Sequence, residues 1–505
     1  MRPGLSHLKR APSGNFVRMV GWFGSFGVGI QRSISLWLVL LSAAIPAVRA
    51  QQPTKPESPP PATQHAQKPP SYQEPGADAQ VQTGSKFGLG SLVGRLARLL
   101  TDHQIPEVEK ALQEDEASAP DAPGKLTPQQ KQLFQGVLEN RENQPRESIK
   151  LLEPLVDSLP ADAGIDEQKL LRKSLAEDYL RAGEMAKAAQ AYQTYSAKLG
   201  NALTPDEQSE IELPLKLLPL VADNPPMTFE PGDAFALPFD RDALGLTDIP
   251  VFVDAQSHDW MLDPTAPFNL ICRSTAKAVG LKVSEQSATV STITGRPIRV
   301  HATVIPRFTI GTVTFRNMTA FVFEDADYYF PKSQYQVRGV LGYPAVSALG
   351  SLTVTADARI EVQPGAKGER QTTGARFFLD GDRILAALGQ PGDERMYVID
   401  ASGQQTYLTS RYYAEHGDDF ADKKMQLLPP PGEPKAPPIP TYIADSATLL
   451  VGATPASFQF ISVLTEPIAG AAVDDTYGTL GMDALDELKS YTFDYRTMRF
   501  AIRNQ

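Results

Sequence analysis

The architecture of this chain follows from one stretch, Trp260-Met261-Leu262-Asp263-Pro264-Thr265-Ala266-Pro267-Phe268-Asn269-Leu270-Ile271. Before it come the apolar residues 249–253 and a polar turn, so the pattern predicts a hairpin that carries Asp263 to the corner between a strand and a loop. The arrangement recurs as Met396-Tyr397-Val398-Ile399-Asp400-Ala401-Ser402. In both copies a polar residue follows the aspartate after six positions and an aliphatic residue after eight. The repetition predicts two copies of one β unit.

A second shared feature lies downstream of each aspartate. Val340-Leu341-Gly342 follows Asp263 and Thr479-Leu480-Gly481 follows Asp400, at 79 and 81 positions (263 to 342 and 400 to 481). Each glycine precedes a segment with β-strand composition, which strengthens the interpretation as a duplication.

These residues resemble the loops of retropepsin-like and pepsin-like aspartic peptidases, in the two-lobed bacterial form. The resemblance covers about residues 230–505 and implies two β lobes related by a pseudo-two-fold axis. It also implies that Asp263 and Asp400 meet as a catalytic pair that shares one proton and activates water against a peptide carbonyl.

Both loops depart from the Asp-Thr/Ser-Gly pattern of that family. The resemblance implies that the hydroxyl of the residue after each aspartate makes a hydrogen bond between the lobes, and Pro264 and Ala401 have no hydroxyl. Thr265 and Ser402 occupy the position of the glycine. A bulkier residue there is expected to hinder close approach to the carboxylate. An alternative is that the Thr265 and Ser402 hydroxyls, one position late, rebuild the interlobe contact.

The remaining segments define the domain organisation. A basic region, the apolar run 34–41 and the small residues before Ala50 predict a secretory signal over 1–50, with an uncleaved membrane anchor as the alternative. Residues 51–84 are Pro-rich and predict a disordered linker. The sequence pattern predicts an α-helical module over residues 85–222, the first β lobe over residues 227–370 and the second β lobe over residues 375–505.

Helical periodicity in residues 85–222 suggests a tetratricopeptide-like module. Gly183 is placed at a helix-helix turn, and Ser148 and Ala188 occupy equivalent positions 40 residues apart (148 to 188). An ordinary α-hairpin is the alternative. Two repeats are fewer than an independent solenoid needs, so the module is expected to pack on the β lobes or on a partner.

Further features bear on the cleft. A hairpin with Gly295 at its turn is predicted to act as a flap, although a purely structural hairpin fits equally well. The Pro-rich segment 428–440 occupies the corresponding place in the second lobe and is expected to lack regular hairpin pairing. The six histidines show no ligand spacing, so we predict no metal site and no cofactor.

Composition limits the function classes. The net charge of -11 and the lack of a basic stripe argue against a nucleic-acid partner. The fold class predicted is an α module followed by all-β lobes, in an extracytoplasmic protein.

Two functions remain open. The altered loops favour a non-catalytic module that binds peptide or protein in the interlobe cleft, and the alternative is an active aspartic endopeptidase using Asp263 and Asp400.

Overall fold

The computed structural model describes residues 91–119, 121–159, 163–291, 296–365, 370–403, 405–431, 437–468 and 474–503. The predicted signal segment and Pro-rich linker lie outside the described residues. Within the described ranges, helices dominate up to about residue 220 and β-sheets dominate afterwards. The predicted order of an α module followed by β structure is therefore confirmed. No helix in these ranges has the length and apolar character needed to cross a membrane.

The helical module begins with Ser91, whose side chain caps the first helix by accepting from the Gly94 amide. Two later helices start with a capping box and a proline in the first turn, at Thr127 and Thr204, which fixes their N-termini. The helices are α1 (Leu92–Thr101), α2 (Ile105–Ala117), α3 (Pro128–Arg141), α4 (Pro145–Leu152), α5 (Leu155–Ser158), α6 (Ile165–Arg181), α7 (Met185–Leu199) and α8 (Pro205–Leu217).

Three turns in this module have the same backbone geometry. His103, Asn143 and Gly183 lie between α1 and α2, α3 and α4, and α6 and α7, and all have positive φ, at 56°, 57° and 76°. Their positions are 40 residues apart in each case (103, 143, 183). Each turn is closed by the same type of backbone hydrogen bond, Gln104 N to Leu99 O, Gln144 N to Glu139 O and Glu184 N to Tyr179 O. The module thus contains three helical hairpins of one design, one more than the sequence pattern indicates.

The first β unit contains strands and two short helices after the module. These are β1 (Thr228–Glu230), β2 (Phe235–Pro238), β3 (Asp240–Arg241), β4 (Thr247–Val253), β5 (Gln256–Leu262), β6 (Leu270–Cys272), α9 (Arg273–Ala278), β7 (Val283–Ser291), β8 (Pro297–Ile310), β9 (Val313–Phe323), β10 (Tyr329–Phe330), β11 (Tyr335–Gln336), β12 (Gly339–Leu341), α10 (Tyr343–Ala348), β13 (Ser351–Thr355) and β14 (Arg359–Gln363).

The second β unit follows the first without another helical module. It comprises β15 (Ala375–Asp380), β16 (Arg383–Gln390), β17 (Asp393–Ile399), β18 (Tyr407–Leu408), α11 (Ser410–His416), β19 (Gln426–Leu428), β20 (Ile439–Val451), β21 (Thr454–Leu464), β22 (Gly478–Leu480), α12 (Met482–Leu488), β23 (Tyr491–Asp494) and β24 (Arg499–Ile502).

The two units share a strand order around each aspartate. In the first it runs β9-β6-β12-β5-β4, and in the second β21-β18-β22-β17-β16. The strand before each aspartate pairs in parallel with the strand that precedes the later glycine, β5 with β12 and β17 with β22. Parallel pairing places both carboxyl ends at one edge of the sheet, so each aspartate lies beside its own Gly segment.

A sheet shared by both units joins them. β13 pairs antiparallel with β23, which brings Thr353 opposite Thr492, and their buried hydroxyl oxygens are 2.7 Å apart. Both β units contribute to one apolar core that includes Phe377, Phe493 and Phe500. Burial of this aromatic cluster fixes the position of one unit against the other.

One expectation about the second unit is wrong. The Pro-rich segment was expected to lack hairpin pairing, yet Gln426–Leu428 pairs antiparallel with Ile439–Thr441 on either side of it. Pro440, which has no amide proton, lies opposite Leu427 in this pair, and its carbonyl oxygen accepts from the Thr465 amide on the other side of β20. Residues 432–436 lie outside the described ranges.

Candidate active site

Each aspartate is fixed first through its own backbone. The Asp263 amide donates to the Leu341 carbonyl at 3.0 Å, and the Asp400 amide donates to the Leu480 carbonyl at 2.9 Å. Both bonds extend the parallel strand pair by one residue, so each carboxylate begins at the same point of its β unit.

The loop after Asp263 supports one oxygen of its carboxylate. Asp263 Oδ1 accepts from the Thr265 amide at 3.0 Å and from the Thr265 hydroxyl at 2.6 Å. Thr265 does not have positive φ, so the loop does not require glycine here. The expectation that a side chain at this position hinders the loop is therefore wrong, because the threonine supplies a second donor instead.

The loop after Asp400 has the same design. Asp400 Oδ1 accepts from the Ser402 amide at 3.1 Å, from the Ser402 hydroxyl at 2.7 Å and from the Gly403 amide at 2.7 Å. A Cβ on Gly403 would lie 2.2 Å from Asp400 Oδ2, closer than any real contact, so the glycine that comes one residue late is required by the carboxylate.

The two hydroxyls do not rebuild a contact between the units. Thr265 and Ser402 each bond the aspartate of their own loop. A hydroxyl has one proton to donate, and here it is used within the loop. The proposed shifted interlobe contact is thus replaced by two local supports that match each other.

The two Gly segments explain the spacing seen in the sequence. The Gly342 amide donates to Asn269 Oδ1 at 3.0 Å, and the Gly481 amide donates to Thr406 Oγ1 at 2.9 Å. Asn269 and Thr406 are the polar residues six positions after the aspartates. A Cβ on Gly342 would lie 2.3 Å from the Phe268 carbonyl oxygen, and backbone atoms also crowd Gly481, so neither position accepts a side chain without a backbone shift.

The carboxylates differ in their surroundings. Asp263 is only 1% exposed, and burial raises its pKa to about 7 against the lowering effect of the Thr265 hydrogen bonds. The nearby Asp400 carboxylate contributes a further increase. Asp263 Oδ2 is buried and accepts no hydrogen bond from the described residues, whereas Asp400 is partly exposed. This arrangement suits a proton held on Asp263.

Residues 249–345 match the family model described as aspartyl protease. This part of the chain is aspartyl-protease-like. The match includes Asp263 and Gly342 and ends before Asp400. No curated protein matches the chain. A solved structure that matches is a retropepsin-like aspartic protease from Rickettsia conorii, with 19% identity, a TM-score of 0.20, and coverage of 27% of this chain and 95% of that one.

The helical module packs on the aspartyl-protease-like part beside the Asp263 loop. Phe268 of that loop and Val290, Ile298 and Val300 of the β7–β8 hairpin belong to the same apolar core as the helices. Gly295, predicted at the tip of this hairpin, lies outside the described residues. The part of the hairpin next to its turn is therefore held against the helices.

Ion pairs hold the module to the second β unit. Asp380, at the end of β15, lies 3.0 Å from Arg141 and 3.2 Å from both Lys173 and His103. Burial alone would raise the pKa of Asp380, but the charges of Arg141 and Lys173 and the hydrogen bond with His103 hold it well below its usual range. Sequence patterns give no indication of this cluster, since its members are far apart in the chain.

Among the described residues, no group of three or more His, Cys, Asp or Glu side chains could hold a metal ion. The single cysteine, Cys272, is buried, and its sulfur lies 3.0 Å from the Thr275 hydroxyl.

Proposed function

We propose that this protein is a two-lobed aspartic endopeptidase in which Asp263 and Asp400 form the catalytic pair. The observation that carries the proposal is the matched support of the two carboxylates, each with one oxygen held by an amide and a hydroxyl two residues on. Preorganisation of this kind is the main requirement for electrostatic catalysis.

The different surroundings of Asp263 and Asp400 indicate which of the two carboxyl groups gives a proton first and which one takes a proton. The Asp400 carboxylate takes a proton from a water molecule, whose oxygen attacks the peptide carbonyl carbon. The proton on Asp263 passes to the carbonyl oxygen, which gives a neutral tetrahedral intermediate. Asp400 then gives its proton to the amide nitrogen, one hydroxyl group of the intermediate returns its proton to Asp263, and the C–N bond breaks to release a carboxylic acid and an amine.

Two structural aspects of the proposal are pseudo-symmetry and a repeat module. Equal strand orders, equal aspartate contacts and the Thr353–Thr492 pair support a pseudo-two-fold axis between the lobes. The 40-residue spacing of three equivalent turns supports a tetratricopeptide-like module with an enlarged repeat.

We further propose that the mature protein works outside the cytoplasm, in the periplasm or as a secreted protein. Support comes from the N-terminal sequence alone, with its basic region, apolar run and small residues before Ala50. Retention of that segment would instead anchor the protein to a membrane. Peptides or proteins are the proposed substrates, and the helical module is a further surface for a partner.

A non-catalytic peptide-binding module is the second candidate. It is favoured by the 1% exposure of Asp263 and by packing of the helices beside its loop, since both restrict access to the carboxylates. Such a protein would bind an extended peptide by strand addition without cleaving it.

Incubation with an unstructured peptide library between about pH 3 and 7 distinguishes the two candidates. Cleavage by the native protein that is lost in both Asp263→Asn and Asp400→Asn supports the peptidase. A matched control is Asp178→Asn, because burial also raises the Asp178 pKa to about 7 although it lies in the helical module. Peptide binding without cleavage in this range would overturn the proposal in favour of the second candidate.

A further inference from the structure

A cavity of about 740 Å³ lies between the helical module and both β units. Pro264 and Thr265 of the Asp263 loop form part of its wall, as do the turn between β15 and β16 and the turn at Gly183. Its volume falls within the range of roughly 300–1,000 Å³ that is typical of ligand sites. The cavity therefore adjoins the candidate active site and has a wall that the β units alone do not provide.

The three equivalent turns explain why the cavity is present. At the first turn, His103 fills the interface and lies 3.1 Å from Asp475. At the second, Asn143 accepts a hydrogen bond from the Tyr343 hydroxyl. At the third, Gly183 has no side chain, and a Cβ placed there would meet no atom within 4 Å. The interface is thus occupied by a side chain at the first turn, whereas Asn143 at the second turn and Gly183 at the third both border the cavity, and Gly183 leaves space for a side chain.

The lining of the cavity is largely apolar and also carries charged side chains of both signs, Asp382 among them. Its aromatic members come from both the module and the first β unit and are Tyr192, Phe229, Phe268, Phe321 and Tyr343. Most charged lining residues have ion-pair partners, namely Glu147, Lys173, Glu177, Arg181, Glu210 and Arg496. Within the described part of the chain, Arg146 and Arg370 are exposed and form no ion pair.

We propose that this cavity binds a segment of peptide in which an apolar side chain is next to a carboxylate. The aromatic wall takes the apolar side chain, and Arg146 and Arg370 bind the carboxylate by charge-assisted hydrogen bonds. The inference rests on the proposed function, because it assigns a substrate class to a site beside Asp263. It makes the helical module a determinant of substrate selection.

Binding can be measured separately from cleavage. The probe is a fluorescein-labelled hexapeptide with two leucines followed by two glutamates, and its partner has two lysines in place of the glutamates. Fluorescence anisotropy with the Asp400→Asn protein gives the dissociation constants without loss of probe. We expect the acidic peptide to bind at least about tenfold more tightly, since two charge-assisted contacts are worth more than 1.4 kcal/mol, the equivalent of a factor of ten.

Charge reversal tests the assignment of the two arginines. Arg146→Glu with Arg370→Glu is expected to abolish the preference for the acidic peptide, and both residues are exposed, so the fold should be retained. Arg95→Glu is the matched control, because Arg95 is an exposed arginine on α1 away from the cavity. An equal preference in the double variant and the control protein would overturn the inference.

The outcomes also separate this inference from the proposed function. Acid-selective binding that depends on the two arginines, without cleavage of any peptide by the native protein, supports the cavity site and refutes the peptidase. Cleavage that depends on Asp263 and Asp400 but shows no acid selectivity supports the peptidase and refutes the cavity site.

Discussion

Replacement of Asp263 by asparagine is expected to alter the pH dependence of stability as well as activity. The change keeps the shape of the side chain and leaves an oxygen to accept from the Thr265 amide and hydroxyl. It removes the ionisable group whose pKa burial raises to about 7. Stability and catalysis therefore report on the same proton.

The magnitude follows from the difference between the folded and unfolded pKa values. The ordinary value is 3.8 and the folded value about 7, and each pKa unit corresponds to about 1.36 kcal/mol, so the group contributes at most about 4 kcal/mol. Between pH 4 and 7 the folded protein holds a proton that the unfolded chain has lost. The contribution of Asp263 to the free energy of unfolding therefore falls as pH rises through this range, and Asp263→Asn removes that fall.

The assay is urea unfolding followed by the fluorescence of Trp260, which is fully buried three residues before Asp263. The other two tryptophans, Trp22 and Trp37, lie in the N-terminal segment predicted to be a signal, so the assay uses the protein from Gln51 onward. The stability of Asp263→Asn relative to its parent is expected to increase by up to about 4 kcal/mol between pH 4 and pH 8. Other titrating groups, including Asp178, are present in both proteins and cancel in this difference.

A difference that stays constant within about 0.5 kcal/mol over this pH range would refute the assignment of the proton to Asp263, since no linked ionisation would then exist at this position.

Activity gives a second measure. Cleavage by the native protein is expected to decline as pH rises through about 7, where Asp263 loses its proton.

Three further changes test the supports of the site. Gly403→Ala is expected to displace the Asp400 carboxylate, which lowers the rate of peptide cleavage at least about tenfold and the free energy of unfolding by about 1–3 kcal/mol. Thr265→Ala with Ser402→Ala removes both hydroxyl donors and should lower the free energy of unfolding by about 1 kcal/mol per bond, together with the rate of cleavage. Unchanged stability and unchanged cleavage would exclude a role of these hydroxyls in supporting the aspartates. Asp380→Asn should lower the free energy of unfolding, measured with urea at pH 7, by about 3–5 kcal/mol. This loss should become smaller as pH falls below 3.8, because the lowered pKa of Asp380 means that its stabilising charge is lost only in acid.

Matched controls separate these effects from general damage. Gly417→Ala places a Cβ whose nearest neighbour is 3.7 Å away, so it should leave cleavage unchanged. Thr194→Ala removes an exposed hydroxyl that bonds the Gln190 carbonyl within α7, and it should cost less than either buried hydroxyl.

The strand patterns in the sequence were sufficient to predict the surroundings of each aspartate. Alternating apolar residues and a later glycine are local signals, and Gly342 and Gly481 could be found because close backbone contacts exclude a side chain at both places. The partner of a hydroxyl group is not local information. Thr265 and Ser402 bond their own aspartates because of the path of each loop, which composition does not specify.

The repeated turns of the helical module show a different limit. Glycine at Gly183 is a recognisable signal for positive φ. His103 and Asn143 adopt the same conformation and are enriched there among non-glycine residues, but both residue types are also common elsewhere, so each gives a weaker signal. The backbone bond that closes each turn is common to all three positions, whereas the residue type is not. For this reason the earliest hairpin was not identified from sequence, although its turn lies at the same interval of 40 residues.

A chain of contacts links the second of these turns to the candidate active site. Asn143 accepts from the Tyr343 hydroxyl, and the Tyr343 amide donates to the Ala266 carbonyl, three residues after Asp263. Tyr343 is also the first residue of α10, immediately after Gly342, so its position is fixed by the same segment that supports the loop. Because the helical module bonds Tyr343 directly and shares an apolar core with Phe268 of the loop, a shift of the module would act on the Asp263 loop through both contacts. The module is therefore placed to affect both the shape of the cavity and the geometry of the aspartate beside it.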